Sequence, residues 1–80
     1  MINPRTILNK LKWKNDTDFE KTEVWYVHRG APNDTKMISG KEIKDIGRSF
    51  MKTEEGMIPF HRIFRIKYRN KTIFERKKDT

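Results

Sequence analysis

Two dipeptides in this chain pair an imidazole with a guanidinium, His28-Arg29 and His61-Arg62. Side by side, such groups suit an anion. Arginine presents a planar fork to two oxygens, and histidine adds a further donor. Two such pairs brought together would make a compact pocket for a terminal phosphate. The same two imidazoles would also serve as general acid and base on a cyclic phosphate, although no third group to orient them is visible. The plain alternative is structural: His61 bonds a neighbouring carbonyl and Arg62 pairs with a surface carboxylate.

No other constellation competes. With no cysteine, disulfides and thiolate-held metals are excluded. The two histidines lie far apart in sequence and set no metal-ligand spacing, so neither a metal nor another cofactor is expected. There is no glycine-rich phosphate loop and no Ser-His-Asp or Cys-His set. Eighty residues fit one domain over 1–80 with a modest core, so a ligand is met on a surface or in a shallow groove. Met1 to Trp13 lacks the apolar stretch of a leader, and no run approaches the ~20 apolar residues of a membrane span. The expectation is a soluble, cytoplasmic protein with no membrane partner.

Charge is the informative bulk property. Nineteen Lys and Arg against eleven Asp and Glu give +8. Residues 1–40 hold seven basic and five acidic side chains, a net of +2, and residues 41–80 hold twelve and six, a net of +6. This asymmetry suits a polyanion, with nucleic acid first and an anionic membrane surface second. Solubility alone is the competing explanation.

The elements that must position these groups follow from the order of residues. Asn3 can cap a helix and Pro4 fits its first position, where a missing N–H costs nothing. Ile7, Leu8 and Leu11 then form one apolar stripe, Lys10, Lys12 and Lys14 favour the helix C-terminus, and Trp13 is expected to pack under the helix end. Lys14 to Lys21 reads as a polar connection. Thr22 to Arg29 reads as a central strand, with Val24, Tyr26 and His28 on one face and Trp25, Val27 and Arg29 on the other. Gly30 to Asp34 is a loop, and Lys36 to Ser39 a short strand ended by Gly40. Over Lys41 to Ile46, Ile43 and Ile46 at i, i+3 allow one helical turn, but the segment is too short to assign. Arg48 to Thr53 reads as a strand with Phe50 inward, closed by a Glu54-Glu55-Gly56 turn.

Ile58-Pro59-Phe60-His61-Arg62-Ile63 then opens a strand to Tyr68. Pro59 lacks a ladder donor and belongs at a strand start, an edge or a bulge, so His61 and Arg62 emerge at a sheet rim. Alternation puts Ile63, Arg65 and Lys67 on one face, with Arg62 on the other above Phe64 and Ile66. The chain reverses at Arg69-Asn70-Lys71 and returns over Thr72 to Arg76, and the last residues form a charged tail. The expected architecture is α+β: an N-terminal helix packed on a curled antiparallel sheet of four or five strands, open to curling toward a barrel. The last hairpin carries eight basic residues from Arg62 to Lys78, including Arg65 and Lys67, a face suited to tracking phosphates. Neutralising four to six of them would give a log–log salt slope of about −3 to −5. Tyr26, Phe60 or Tyr68 would stack bases if exposed.

Leu8-x-x-Leu11-x-Trp13, Val27-His28-Arg29-Gly30-Ala31, Ile58-Pro59-x-His61-Arg62-Ile63-x-x-Ile66 and Ile73-Phe74-x-Arg76 together resemble one small archaeal family. It is described as an RNA-repair, or RNA cyclic-group end recognition, domain. The likeness runs from about residue 4 to 77, and the Ile-Pro-x-His-Arg-Ile block is its most specific part. The chain departs at Lys14, where an acidic residue is common, and at Phe74, where tryptophan is common. The resemblance implies that His61, Arg62, His28, Arg29 and Arg76 contact RNA or its terminal phosphate. It also implies an RNA-processing enzyme as a partner.

Three functions are therefore expected in order. The first is a non-catalytic RNA-binding module for phosphorylated or cyclic 3′ ends. The second is an RNA-end cyclic phosphodiesterase using His28 and His61. The third is a protein-interaction adaptor of an RNA-processing complex, marked by an exposed apolar patch.

Overall fold

Asn3 and Pro4 begin the helix as their chemistry requires. In the computed structural model, which describes residues 3–13 and 18–77, α1 spans Pro4–Trp13. The Asn3 side-chain oxygen accepts from the Thr6 N–H at 2.9 Å. The stripe is graded: Leu8 is fully buried, while Ile7 and Leu11 are partly covered. Trp13 is 82 % exposed and does not pack under the helix end. The last helical turn carries it outward, beyond the stripe that Leu8 fixes on the core. Lys14, the first residues of the polar connection and the end of the charged tail lie outside the described residues.

Seven strands follow: β1 Thr22–Val27, β2 Thr35–Ser39, β3 Ile43–Ile46, β4 Phe50–Thr53, β5 Gly56–Pro59, β6 Ile63–Tyr68 and β7 Lys71–Glu75. They form two antiparallel sheets rather than one, ordered β2-β1-β6-β7 and β3-β4-β5, and neither closes into a barrel. The division arises at two single 3-10 turns, Gly40–Glu42 and Phe60–Arg62, which redirect the chain out of one sheet and into the other. The segment left unassigned by the sequence is a 3-10 turn over Gly40–Glu42 followed by β3, so Ile43 and Ile46 lie on a strand rather than a helical turn. The helix lies against β3. Leu8, Val24, Ile38 and Ile66 meet Met51 and Ile58 in a core shared by the helix and both sheets. Among the described residues, no helix is long and apolar enough to cross a membrane.

β1 is central, as its two apolar faces require, and Thr22, Val24 and Tyr26 point into the core. Its pairing with β6 contains a bulge. Trp25 opposes Arg65 and Tyr26 opposes Ile63, which leaves Phe64 as the extra residue. The bulge overturns simple alternation. Ile63 joins Ile66 on the core face instead of sharing a face with Arg65 and Lys67. Phe50 is likewise reversed: it is exposed, and its neighbour Met51 is fully buried. Alternation holds along β4, but it is Met51 and Thr53 that face the core, with Phe50 and Lys52 outward. The two hairpin turns match expectation. Gly56 has φ 126°, and Arg69 and Asn70 have φ 51° and 67°, the pair of left-handed residues a tight hairpin needs.

The Phe60–Arg62 turn is held by Arg76 just beyond β7. The Arg76 Nε donates to the Ile63 carbonyl at 2.8 Å, and Nη2 donates to the carbonyls of Phe60 at 3.1 Å and His61 at 2.5 Å. The turn backbone is tied in from the other side by the Phe60 N–H, which donates to the Ser49 carbonyl at 3.1 Å.

Two stability outcomes follow from these contacts. A Cβ on Gly40 would lie 1.8 Å from the Phe19 carbonyl oxygen, so Gly40→Ala must displace backbone. Urea unfolding of Gly40→Ala is expected to show a loss of about 2 kcal/mol, the middle of the overpacking range. Arg76→Ala is expected to lose about 1–3 kcal/mol, since it strips charged donors from three carbonyls. Arg76→Lys should recover less than half of that, because an ammonium cannot span the three acceptors as the planar fork does. A loss under ~0.5 kcal/mol in Arg76→Ala, the level of an ordinary surface change, would show the clamp is not structural.

Candidate nucleic-acid interface

His28 leaves β1 at the start of a tightly closed loop. Its N–H donates to the Asp34 carbonyl at 2.8 Å, and its carbonyl accepts from the Ala31 N–H at 3.2 Å. Gly30 at φ 95° and the left-handed Asn33 and Asp34 allow so short a reversal. The imidazole stands edge-on to the Tyr26 ring, with centroids 6.2 Å apart. The loop therefore fixes where His28 projects, at the end of the four-stranded sheet.

Opposite it stands Arg62, in the turn that Arg76 clamps. His28, Arg62 and Lys36 line one depression of about 360 Å³ together with Tyr26, Glu55 and Pro59. That size falls at the small end of ligand sites, ~300–1,000 Å³. Lys36 enters through register, being the cross-strand partner of Tyr26. Its ammonium lies 3.2 Å from Glu55, which ties β2 to the β4–β5 turn and so joins the two sheets beside the depression. Tyr26 is buried behind it. Burial pushes its hydroxyl pKa up, the charges of Glu55 and Glu42 add to this, and a hydrogen bond to Glu55 acts the same way. The hydroxyl thus stays protonated through neutral pH.

His61 faces elsewhere. It lines a second depression with Arg62, Arg76 and Lys77, and a third with Arg5, Arg48 and Ser49. The two His-Arg dipeptides are thus re-sorted in space: His28 shares a depression with Arg62, and His61 shares its own with Arg76. The two histidines do not line the same one, and Arg29 is exposed on its loop and lines none of the three.

Arg65 and Lys67 occupy a different face. Bulge and register place them on the outside of the four-stranded sheet over Trp25, with the Arg65 guanidinium 5.6 Å and the Lys67 ammonium 5.9 Å from the indole. Arg65 Nε and Nη2 both bond the Glu75 carboxylate at 2.8 Å. This charge is already paired and stacked. The aromatic rings considered for base stacking are also committed. Tyr26 and Phe60 are buried, and the half-buried Tyr68 hydroxyl accepts from the Asp18 N–H at 2.9 Å and from Arg69 at 3.2 Å.

The arrangement offers an arginine fork, an ammonium and an imidazole around one depression, with a single carboxylate in its lining. Chemically it suits a small anionic group. No group of three or more His, Asp or Glu that could hold a metal exists among the described residues. Sequence reasoning missed Lys36, Arg5 and Arg48. Lys36 becomes visible only once the β1–β2 register is known. Arg5 and Arg48 sit 43 positions apart and meet only through the fold.

Over residues 1–76 the chain matches the family described as the MJ1316 RNA cyclic group end recognition domain. A UPF0248 protein of Methanococcus maripaludis strain C7 is 42% identical over 62 residues, which covers 78% of this chain and 80% of the relative. A UPF0248 protein of Archaeoglobus fulgidus is 34% identical over 70 residues, covering 86% of this chain and 99% of the relative. UPF0248 protein MJ1316 of Methanocaldococcus jannaschii is 39% identical over 63 residues, covering 79% and 78%. No solved structure gives a significant match. Since the match takes in α1, both sheets and both histidine blocks, the chain belongs to the MJ1316 RNA cyclic group end recognition domain family, a small archaeal family.

Proposed function

We propose that this protein is a non-catalytic RNA-binding module that holds a phosphorylated or cyclic-phosphate 3′ end between Arg62, His28 and Lys36. The observation that carries this reading is the depression itself, where two cations and an imidazole from three separate segments face one another. Arg62 binds two phosphate oxygens as a fork, and Lys36 adds a point charge once Glu55 yields part of its hold. His28 and the protonated Tyr26 hydroxyl supply hydrogen bonds. The description of the family supports RNA as the ligand. Acid–base catalysis by His28 and His61 needs both imidazoles on one phosphate, and they line different depressions. Chemistry on the bound end therefore falls to a separate RNA-processing enzyme, the partner this reading implies.

Fluorescence anisotropy with one short RNA ending in a 2′,3′-cyclic phosphate, a 3′-phosphate or a 3′-hydroxyl tests the reading. The cyclic end is expected to bind at least ~tenfold tighter than the hydroxyl end, about 1.4 kcal/mol. Arg62→Ala and His28→Ala should each erase that difference. Equal binding of all three ends by the wild-type protein would sink end recognition and favour the adaptor. The RNA recovered afterwards should be chemically unchanged; a ring-opened end appearing in proportion to protein and time would make the protein an enzyme instead.

A further inference from the structure

The three depressions share walls. Arg62 lines the first and second, and His61 lines the second and third. They therefore form one path around the clamped turn rather than three isolated hollows. Along that path, the second and third depressions have no acidic residue in their linings. Eleven acidic residues are present in the chain, so linings whose charged members are all basic are a marked local segregation. Lys77, His61, Arg5 and Arg48 face it instead.

We infer that the third depression, formed by Arg5, Arg48 and His61, is a second phosphate-binding site, which takes the RNA backbone on the 5′ side of the bound end. The inference rests on the end-recognition reading for its direction along the strand. Its physical basis is separate. Arg5 is pre-positioned, because its Nε donates to the Gly47 carbonyl at 2.9 Å. That bond also fixes the loop before Arg48, so the two guanidinium groups come from one braced corner. Arg48 is exposed, and among the described residues no ion pair or side-chain hydrogen bond occupies it. The helix terminus beside the site offers an anion little. Pro4 has no N–H, and the Thr6 N–H is already given to Asn3. The cationic side chains must do the binding, which makes the site a point-charge track for internucleotide phosphates and indifferent to base identity.

Arg48→Ala in the full chain is the test, since Arg48 is exposed and supports no contact that folding needs. Affinity for a short RNA with a 2′,3′-cyclic end is measured over a salt series, beside affinity for the cyclic mononucleotide alone. Lys44→Ala, on β3 outside all three depressions, removes the same charge as a control. Arg48→Ala is expected to flatten the log–log salt slope by about 0.7, one single-strand phosphate contact. It should weaken the RNA several-fold and leave both the mononucleotide and the preference for the cyclic end unchanged. An unaltered slope, or one altered equally by Lys44→Ala, overturns the second site while end recognition stands. If the wild-type protein shows no end preference but the Arg48-specific slope change is present, the second site stands and the end-recognition reading falls.

Discussion

Three carbonyls at the start of β6 converge on a single guanidinium, and the shape of the surface around the candidate site rests on that contact. The Phe60–Arg62 turn follows Pro59, the last residue of β5, and closes where the Ile63 N–H donates to the Phe60 carbonyl. Arg76 adds donors to the carbonyls of Phe60, His61 and Ile63. The turn then becomes a braced platform from which Arg62 reaches the first and second depressions and His61 the second and third. A family-level likeness would make Arg76 a phosphate ligand. Its geometry makes it a positioning residue, with most of its donors already directed at backbone. Its remaining charge still contributes to the potential of the adjoining depressions.

The second constraint is the joint between the sheets. An eighty-residue chain cannot enclose a ligand in a deep cavity, so its concave surface must come from where two layers meet. Here β1 and β2 end against the β4–β5 hairpin, and the Lys36–Glu55 pair spans the gap. Exposed ion pairs of this kind contribute little to stability, about 0–1 kcal/mol. That weakness suits a site in which Lys36 must turn toward an incoming anion. By contrast, the Trp25 face uses its charges internally. Arg65 is sandwiched between an indole and a carboxylate, and moving it onto a phosphate would break both contacts. Around the Phe60–Arg62 turn, by comparison, Arg62 and Arg48 stand outside both ion pairs.

Much of this was legible in the sequence, for identifiable reasons. Asn3-Pro4, the central position of β1 and the Gly56 and Asn70 turns each follow from a single strong local rule. The reading of one sheet failed because Gly40–Glu42 and Phe60–Arg62 are single 3-10 turns, too short to leave a periodic signal. The facing of Ile63 failed for a related reason: a bulge adds one residue and shifts every later side chain, and the amino-acid pattern carries no mark of it. Trp13 was misplaced because burial is the usual fate of tryptophan, and the end of a short helix can escape that tendency. The histidine–arginine chemistry was visible as residue types. Its pairing was not, because His28, Lys36 and Arg62 come together only through the fold.

His61 and Arg62 share the second depression, and each also lines one that the other does not. The dipeptide therefore links neighbouring hollows rather than closing a pocket by itself. Arg62 completes a depression whose other groups come from β1 and β2, while His61 begins the surface that leads toward α1 and Arg48. A catalytic pair would need convergence of the two imidazoles on one bond. A binding module needs something different, a terminus held at one side of a rigid turn and a strand led away over the other. In the function proposed above, the clamped turn serves the second requirement.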